Sequence, residues 1–337
     1  MRRGLAAAAL PLVALAAPQA HAGAQNATEW LERMTDALAT LNYDGLFTHT
    51  AGQQSETMRI VHRVEGGRSM ERLVSLDGSG REIVRTAEEV HFYMPDRRVV
   101  LVEQRSDEGS LLRALPAPGP KLDELYTLDV RKGSKLLGRD VKVLDILPRD
   151  VYRYGYRLWL DEETAMPLRS EVVNGEGRAV EAMHFTRLEV RDRIAARELE
   201  PAVDATGYQW VRAGRRGEPP SANVGWRPRK VPPGFRLVVA TRIQVVPGVP
   251  MPVQHLIFSD GFASVSVFIE PGPAKGPSPP ESTTVGSANA FSTQVRGHVI
   301  TAIGEVPAAT VRDLATSVAP VEEQAAPAKP APERPDR

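Results

Sequence analysis

The sequence predicts an α+β protein of two domains: a helix laid on a curved antiparallel sheet, followed by a smaller α/β unit. Three observations carry that reading. After residue 22 an amphipathic stretch gives way, at Asn42, to short runs rich in Val, Ile, Tyr and Phe, each closed by turn residues. Around "RAGRRGEPPSANVGW" the composition shifts to Gly, Pro and Arg, which sets a linker over residues 205–223. The charge changes sign there too: residues 23–204 carry 26 basic and 32 acidic side chains, residues 205–318 carry 11 and 6. An acidic first half and a basic second half fit two domains, with an anionic partner for the second.

The first residues set the compartment. Arg2 and Arg3 precede an apolar run from Leu5 to Ala17, and Ala20-His21-Ala22 is a small-x-small cleavage site, so residues 1–22 read as a signal peptide. That run is too short to cross about 30 Å of hydrocarbon. The mature chain is expected to be soluble and exported. The 337 residues contain no cysteine, which removes lipidation, thiolate catalysis and Cys-ligated zinc. A core of this size needs no disulfide staple.

In "NATEWLERMTDALATLNYDG" Asn26 is placed as a helix N-cap and Glu29 as its capping partner, with Trp30, Met34, Leu38 and Leu41 along one buried stripe. Six strands are expected next: "NYDGLFTH", "MRIVHRV", "SMERLVSL", "REIVRT", "EVHFYM" and "RVVLVEQ". The turns "EGGR", "DGSGR" and "MPDRR" supply positive φ through Gly or Asp-Gly. Residues 107–120 read as a loop with a short helix. Longer strands follow in "DVKVLDIL", "VYRYGYRLWLD", "PLRSEVVN" and "AVEAMHFTRLEV". In "YRYGYRLWL", Tyr152, Tyr154, Tyr156, Leu158 and Leu160 share one face and Arg153, Gly155, Arg157 and Trp159 the other; Arg stems can cover apolar surface. A curved sheet with one apolar concave face, covered by the helix, satisfies this pattern over residues 23–204.

The second domain, residues 224–318, contains the strands "FRLVVATRIQVV", "VQHLIFSD", "FASVSVFIE" and "HVITAIGEV" and a helix from Ala308 to Val318 behind Pro307. In "FSDGFASVSVFIE", turned by Ser259-Asp260-Gly261, Ala263, Val265, Val267 and Ile269 share one face while Ser264 and Ser266 share the other. The serine face reads as solvent or interface. Residues 271–287 read as a Pro-, Gly- and Ser-rich loop, and 319–337 as a disordered tail.

No reaction centre emerges from the residues. Gly-x-Ser-x-Gly and the phosphate-binding glycine patterns are absent, and the mature histidines stand singly on strands. The chain is expected to be non-enzymatic, with no cofactor and no metal. The basic set that includes Arg227, Arg229 and Lys230 is either a solvated surface or a site for phosphorylated glycolipid or acidic peptide; nucleic acid does not fit an exported, charge-balanced chain.

The stretch "YRLWLDEETAMPLRSEVVNGEGRAVEAMHFTRLEV" resembles the outer-membrane lipoprotein carriers. With "WRPRKVPPGFR" at 226–236, "FSDGFASVSVFIE" at 258–270 and "GHVITAIGEVPAATVRDLA" at 297–315, nearly all of the mature chain resembles the RseB/MucB family. The resemblance implies an unclosed antiparallel β-barrel with helical cover, lipoprotein-carrier-like, and then a smaller α/β domain. It implies a periplasmic negative regulator of an extracytoplasmic-stress sigma factor. Such a protein binds the periplasmic part of a single-pass anti-sigma factor, protects it from regulated proteolysis and is released by lipid or lipopolysaccharide. Arg296, Trp226 and Arg81 are the expected partner-binding residues. Met58, Ile60, Phe92 and Met94, with Arg227, Arg229 and Lys230, are expected to bind lipid. The alternative is a soluble periplasmic carrier of lipoproteins or lipids, which would need only the first domain.

Overall fold

The computed structural model describes residues 19–105, 112, 122–212, 225–243, 253–272 and 279–321. Among these the chain is mostly β, with few helices. Helix α1 (Gln19–Thr40) begins seven residues before the expected N-cap, so Asn26 and Glu29 lie inside it. The stretch "QAHAGAQ" explains the correction: Ala and Gln extend a helix at little cost, and the expected cut after Ala22 falls within α1. Its apolar stripe holds as read. Leu31 and Met34 are fully buried, Trp30 and Leu38 nearly so; burial of each such side chain is worth about 1.5–3 kcal/mol.

The first sheet follows: β1 (Tyr43–Ala51), β2 (Gln54–Glu65), β3 (Arg68–Ser75), β4 (Glu82–Arg85), β5 (Glu89–Met94), β6 (Val99–Gln104), β7 (Tyr126–Lys132), β8 (Val141–Pro148), β9 (Gly155–Asp161), β10 (Pro167–Val173), β11 (Ala179–Val190) and β12 (Gln209–Arg212). A one-turn helix, α2 (Leu122–Leu125), leads into β7. The spatial order is β12-β6-β5-β4-β3-β2-β1-β11-β10-β9-β8-β7, and the two end strands do not pair, so the sheet is not closed. Every neighbour is antiparallel except β12, which runs parallel to β6 from within the stretch expected to be linker. Alternation puts Phe47, Ile60, Tyr156, Leu158, Leu160, Met183 and Phe185 into one core with Leu31 and Met34 of α1. The opposite face carries ion pairs such as Arg59 with Asp44 at 2.8 and 3.0 Å. Near β3–β6 it is covered by residues 194–208 through Ile194, Leu199 and Tyr208. The expected loop at 107–120 lies outside the described residues, except for Leu112.

The second sheet contains β14 (Arg236–Ile243), β15 (Val253–Ser259), β16 (Ser264–Pro271), β17 (Glu281–Val285), β18 (Ala288–Val295) and β19 (His298–Gly304), ordered β14-β15-β16-β19-β18-β17. Helix α3 (Ala308–Ser317) buries Val311 and Leu314 on it, while β13 (Trp226–Pro228) pairs with β20 (Val318–Pro320). Strand β17 lies within the stretch expected to be loop. All five of its residues are exposed and polar or small apart from Val285, so no alternation announces it; the turn at Gly286-Ser287 fixes its register on β18. The hairpin at Ser259-Asp260-Gly261 and the alternation of β16 stand as read.

Candidate functional site

Among the described residues, three cavities concern the barrel and the space beside the second domain. The first, about 200 Å³, lies inside the open barrel, walled by Phe47, Met58, Leu73, Tyr156, Val172 and Met183, with Leu112 also against it. Its apolar side follows from alternation, with Phe47 facing Met58 across β1–β2; His49, Ser170, Glu171 and Glu181 supply polar groups to the same wall. The second, about 210 Å³, shares Met58 and Leu73 and adds Ile83, Phe92 and Met94, rimmed by Glu56, Arg81 and Glu82. The third, about 400 Å³, lies between the domains. It shares Tyr156, Val172 and Glu181 with the first and takes Phe262, Ser264, Ser266, Ile303 and Glu305 from the second domain. The serine face of β16 therefore lines an interdomain cleft.

Among the contacts that bound this cleft, two carry charged or titratable side chains. At one, Arg153 has no exposed side chain; it donates to Asp150 at 3.1 Å, to Asp260 at 2.8 Å and to the Pro233 carbonyl. The rings of Tyr126 and Phe235 flank its guanidinium. Gly234 closes over it with φ +81°, and a Cβ there would stand 2.8 Å from Leu125 and 3.1 Å from Arg153, so both conformation and space require glycine. At the other, the β1–β2 tip at Gly52 meets the β17–β18 tip at Gly286. Beside it His49 Nε2 pairs with Glu181 Oε1 at 2.8 Å, and Ser287 donates to Glu305 at 3.1 Å. The bond to Glu181 raises the His49 pKa against the opposing effect of burial. Burial pushes Glu181 up, but the bond from His49, with help from Ser287, outweighs it and holds the carboxyl below its ordinary value. Glu305 is pushed up by burial and by the nearby Glu181 charge.

Met58, Phe92, Met94 and Arg81 come together at the second cavity. Ile60 is fully buried in the core instead, opposite Leu73. Arg81 is tied to Glu56 at 2.9 Å and Asp77 at 3.2 Å. Trp226 is 6% exposed in the second core, edge-on to His298. Arg296 is exposed at the β18–β19 turn with φ 47°. Arg227, Arg229 and Lys230 are exposed near β13, apart from the residues that line the three cavities. Sequence reasoning missed the Arg153–Asp260 contact and the His49–Glu181 and Ser287–Glu305 pairs. The polar positions were visible in their strands, but nothing local tells which distant residue each one meets.

A family model described as the MucB/RseB N-terminal domain matches residues 26–203, and one described as the MucB/RseB C-terminal domain matches residues 220–319. The sigma factor AlgU regulatory protein MucB of Pseudomonas aeruginosa is 32% identical over 304 residues, which covers 88% of this chain and 92% of that one. A crystal structure of MucB in complex with MucA(peri) superposes with TM-score 0.70 at 30% identity, covering 87% of this chain and 98% of that one. A crystal structure of MucB by itself gives 0.59 at 30% identity, covering 88% and 98%.

Proposed function

We propose, from the premise that this chain belongs to the MucB/RseB family, that it is a periplasmic negative regulator of an envelope-stress sigma factor. It acts by binding the periplasmic segment of an anti-sigma factor and holding that segment away from the protease that would start its degradation. Lipid or lipopolysaccharide entering the barrel releases the brake. The observation that carries the reading is the extent of the match. Both domain models fit, and the relative that spans 88% of the chain is itself a sigma-factor regulatory protein. The cavities support the lipid arm, since apolar side chains dominate their walls and a few polar groups stand among them, as in sites for small amphiphiles. Arg296, Trp226 and Arg81 remain the proposed partner contacts; Arg227, Arg229 and Lys230 are proposed to meet lipid phosphate from outside the cavities.

The carrier reading draws on the same cavities but gives the second domain no task. The test is titration of the purified mature chain into the purified periplasmic segment of the anti-sigma factor from the same genome, then addition of lipopolysaccharide. A complex that lipopolysaccharide dissociates, and that resists the initiating protease before it dissociates, is the expected result. Lipid binding without any complex would move the assignment to the carrier.

A further inference from the structure

We propose that the tip contact between the domains is a proton-operated latch: the two domains close on each other at Glu181 and Glu305 as pH falls, and one proton taken up at Glu305 sets the closure. The geometry is that of two carboxylates from different domains sharing one hydroxyl. Glu181 stands on β11 of the first domain and Glu305 follows β19 of the second. The Ser287 hydroxyl, in the β17–β18 turn, donates to Glu305 Oε1 at 3.1 Å and lies within reach of Glu181 as well. Ser287 is buried, and its single proton cannot serve both carboxylates at once. Among the described residues, Glu181 Oε2 is buried and accepts no hydrogen bond. With both carboxylates charged, the contact therefore carries a like-charge pair and an unmet acceptor, and each opposes closure. A proton on Glu305 answers both: Glu305 then donates to Ser287, which frees the hydroxyl's own proton for Glu181.

The surrounding groups agree with that direction. His49 of β1 pairs with Glu181 Oε1 at 2.8 Å within the first domain, so this pair persists when the domains part. When charged, His49 also attracts Glu305 across the contact. Glu56 of β2 acts on His49 and is itself held by Arg81 at 2.9 Å. From β9, Tyr156 feels both carboxylates, and just before that strand Tyr154 accepts from Asn289 at 2.9 Å; burial raises the pKa of both phenols, so they stay neutral. The group whose surroundings change on closure is Glu305. Apart from the contact it is a carboxyl with the ordinary value of 4.5; within it, desolvation and the Glu181 charge push the pKa up. The joined state therefore holds the proton more tightly, and its advantage, full below about 4.5, is lost as pH rises through the raised value. Glu305 remains open to water on one side, so protons reach it freely and screening keeps the effect modest.

The experiment takes advantage of a chain without cysteine. Gln54→Cys and Thr283→Cys, at exposed positions on the two tips, carry spin labels, and pulsed dipolar spectroscopy reads the ratio of joined to parted molecules between about pH 7.5 and about pH 5. That ratio is expected to rise about threefold on acidification. Glu305→Gln, which keeps the shape and cannot titrate, is expected to hold the tips together throughout and flatten the profile. Glu181→Gln is expected to shrink the rise, because the charge that acts on Glu305 is gone. A parent profile that is flat or falls with acid would overturn the latch. So would a rise that survives unchanged in Glu305→Gln, which would assign the titration to another group such as the buried His62.

Discussion

His62 is fully buried, stacked on Tyr43 at 4.7 Å and bonded through Nδ1 to the Leu41 carbonyl at 2.7 Å. That carbonyl can only accept, so the ring carries a proton on Nδ1. Glu71 stands 3.9 Å from Nε2, but it also pairs with Arg85 at 3.1 Å. Burial lowers the His62 pKa to about 4, helped by the charges of Arg85 and Arg105. The folded pKa lies below the ordinary 6.5, so in this window the unfolded chain binds more protons, and stability falls as pH drops from about 6.5 to about 4. The shift corresponds to about 3 kcal/mol. Denaturant melts across that window are expected to show this loss, and His62→Phe, which keeps a flat ring but cannot titrate, is expected to flatten the slope whatever it does to absolute stability. In the sequence His62 was one of six single histidines on strands. The alternation of "MRIVHRV" places it on a face, but its depth of burial and the Arg85 and Arg105 charges that lower its pKa come from the assembled sheet and not from its own strand.

Elements with a strong period were legible and those without were not. The stripe of α1 and the alternation of β9 and β16 appear in the structure as read, because each buries one face against a core. Strands β12 and β17 escaped the reading since all their residues are exposed and show no apolar alternation; what holds β12 is pairing with β6 and contacts of Trp210 with His91 and Tyr93 and of Arg212 with Glu89, none of them visible in its own four residues. Helix α3 was legible as a helix, but its docking was not. Thr310, fully buried in its first turn, donates to the Tyr152 carbonyl at 2.7 Å and so ties the helix to the loop that enters β9. Thr310→Val keeps the shape and removes the donor, leaving that carbonyl unpaired, and is expected to cost about 1–3 kcal/mol. Thermal melting of the two proteins would check it; an unchanged midpoint would mean that water replaces the hydroxyl.

At the scale of the molecule, the two domains are held by polar contacts that no single strand encodes, among them Arg153 with Asp260. Both side chains have no exposed surface. Removing one member of such a pair strands the other charge in the interior, typically at a cost of about 3–5 kcal/mol. Asp260 would keep its bonds from the backbone of Phe262 and Ala263 at 2.8 and 2.7 Å, so the hairpin should survive while the junction does not. Arg153→Met is therefore expected to resolve scanning calorimetry into two transitions, one per domain, where the parent unfolds with the domains coupled. The Arg153→Met, Asp260→Asn double variant should recover part of the loss, because the orphaned charge is gone. The junction also bears on function. The chain as a whole superposes on MucB bound to MucA(peri) at TM-score 0.70 and on MucB by itself at 0.59. If the coupled arrangement is the one that binds the anti-sigma segment, loosening it lowers the competent fraction, and apparent affinity falls by the same factor. Arg153→Met should then bind the segment more weakly even though the residue lies far along the chain from the proposed contacts at Trp226 and Arg296. Two calorimetric transitions with undiminished affinity would show instead that the partner engages one domain and is indifferent to the other.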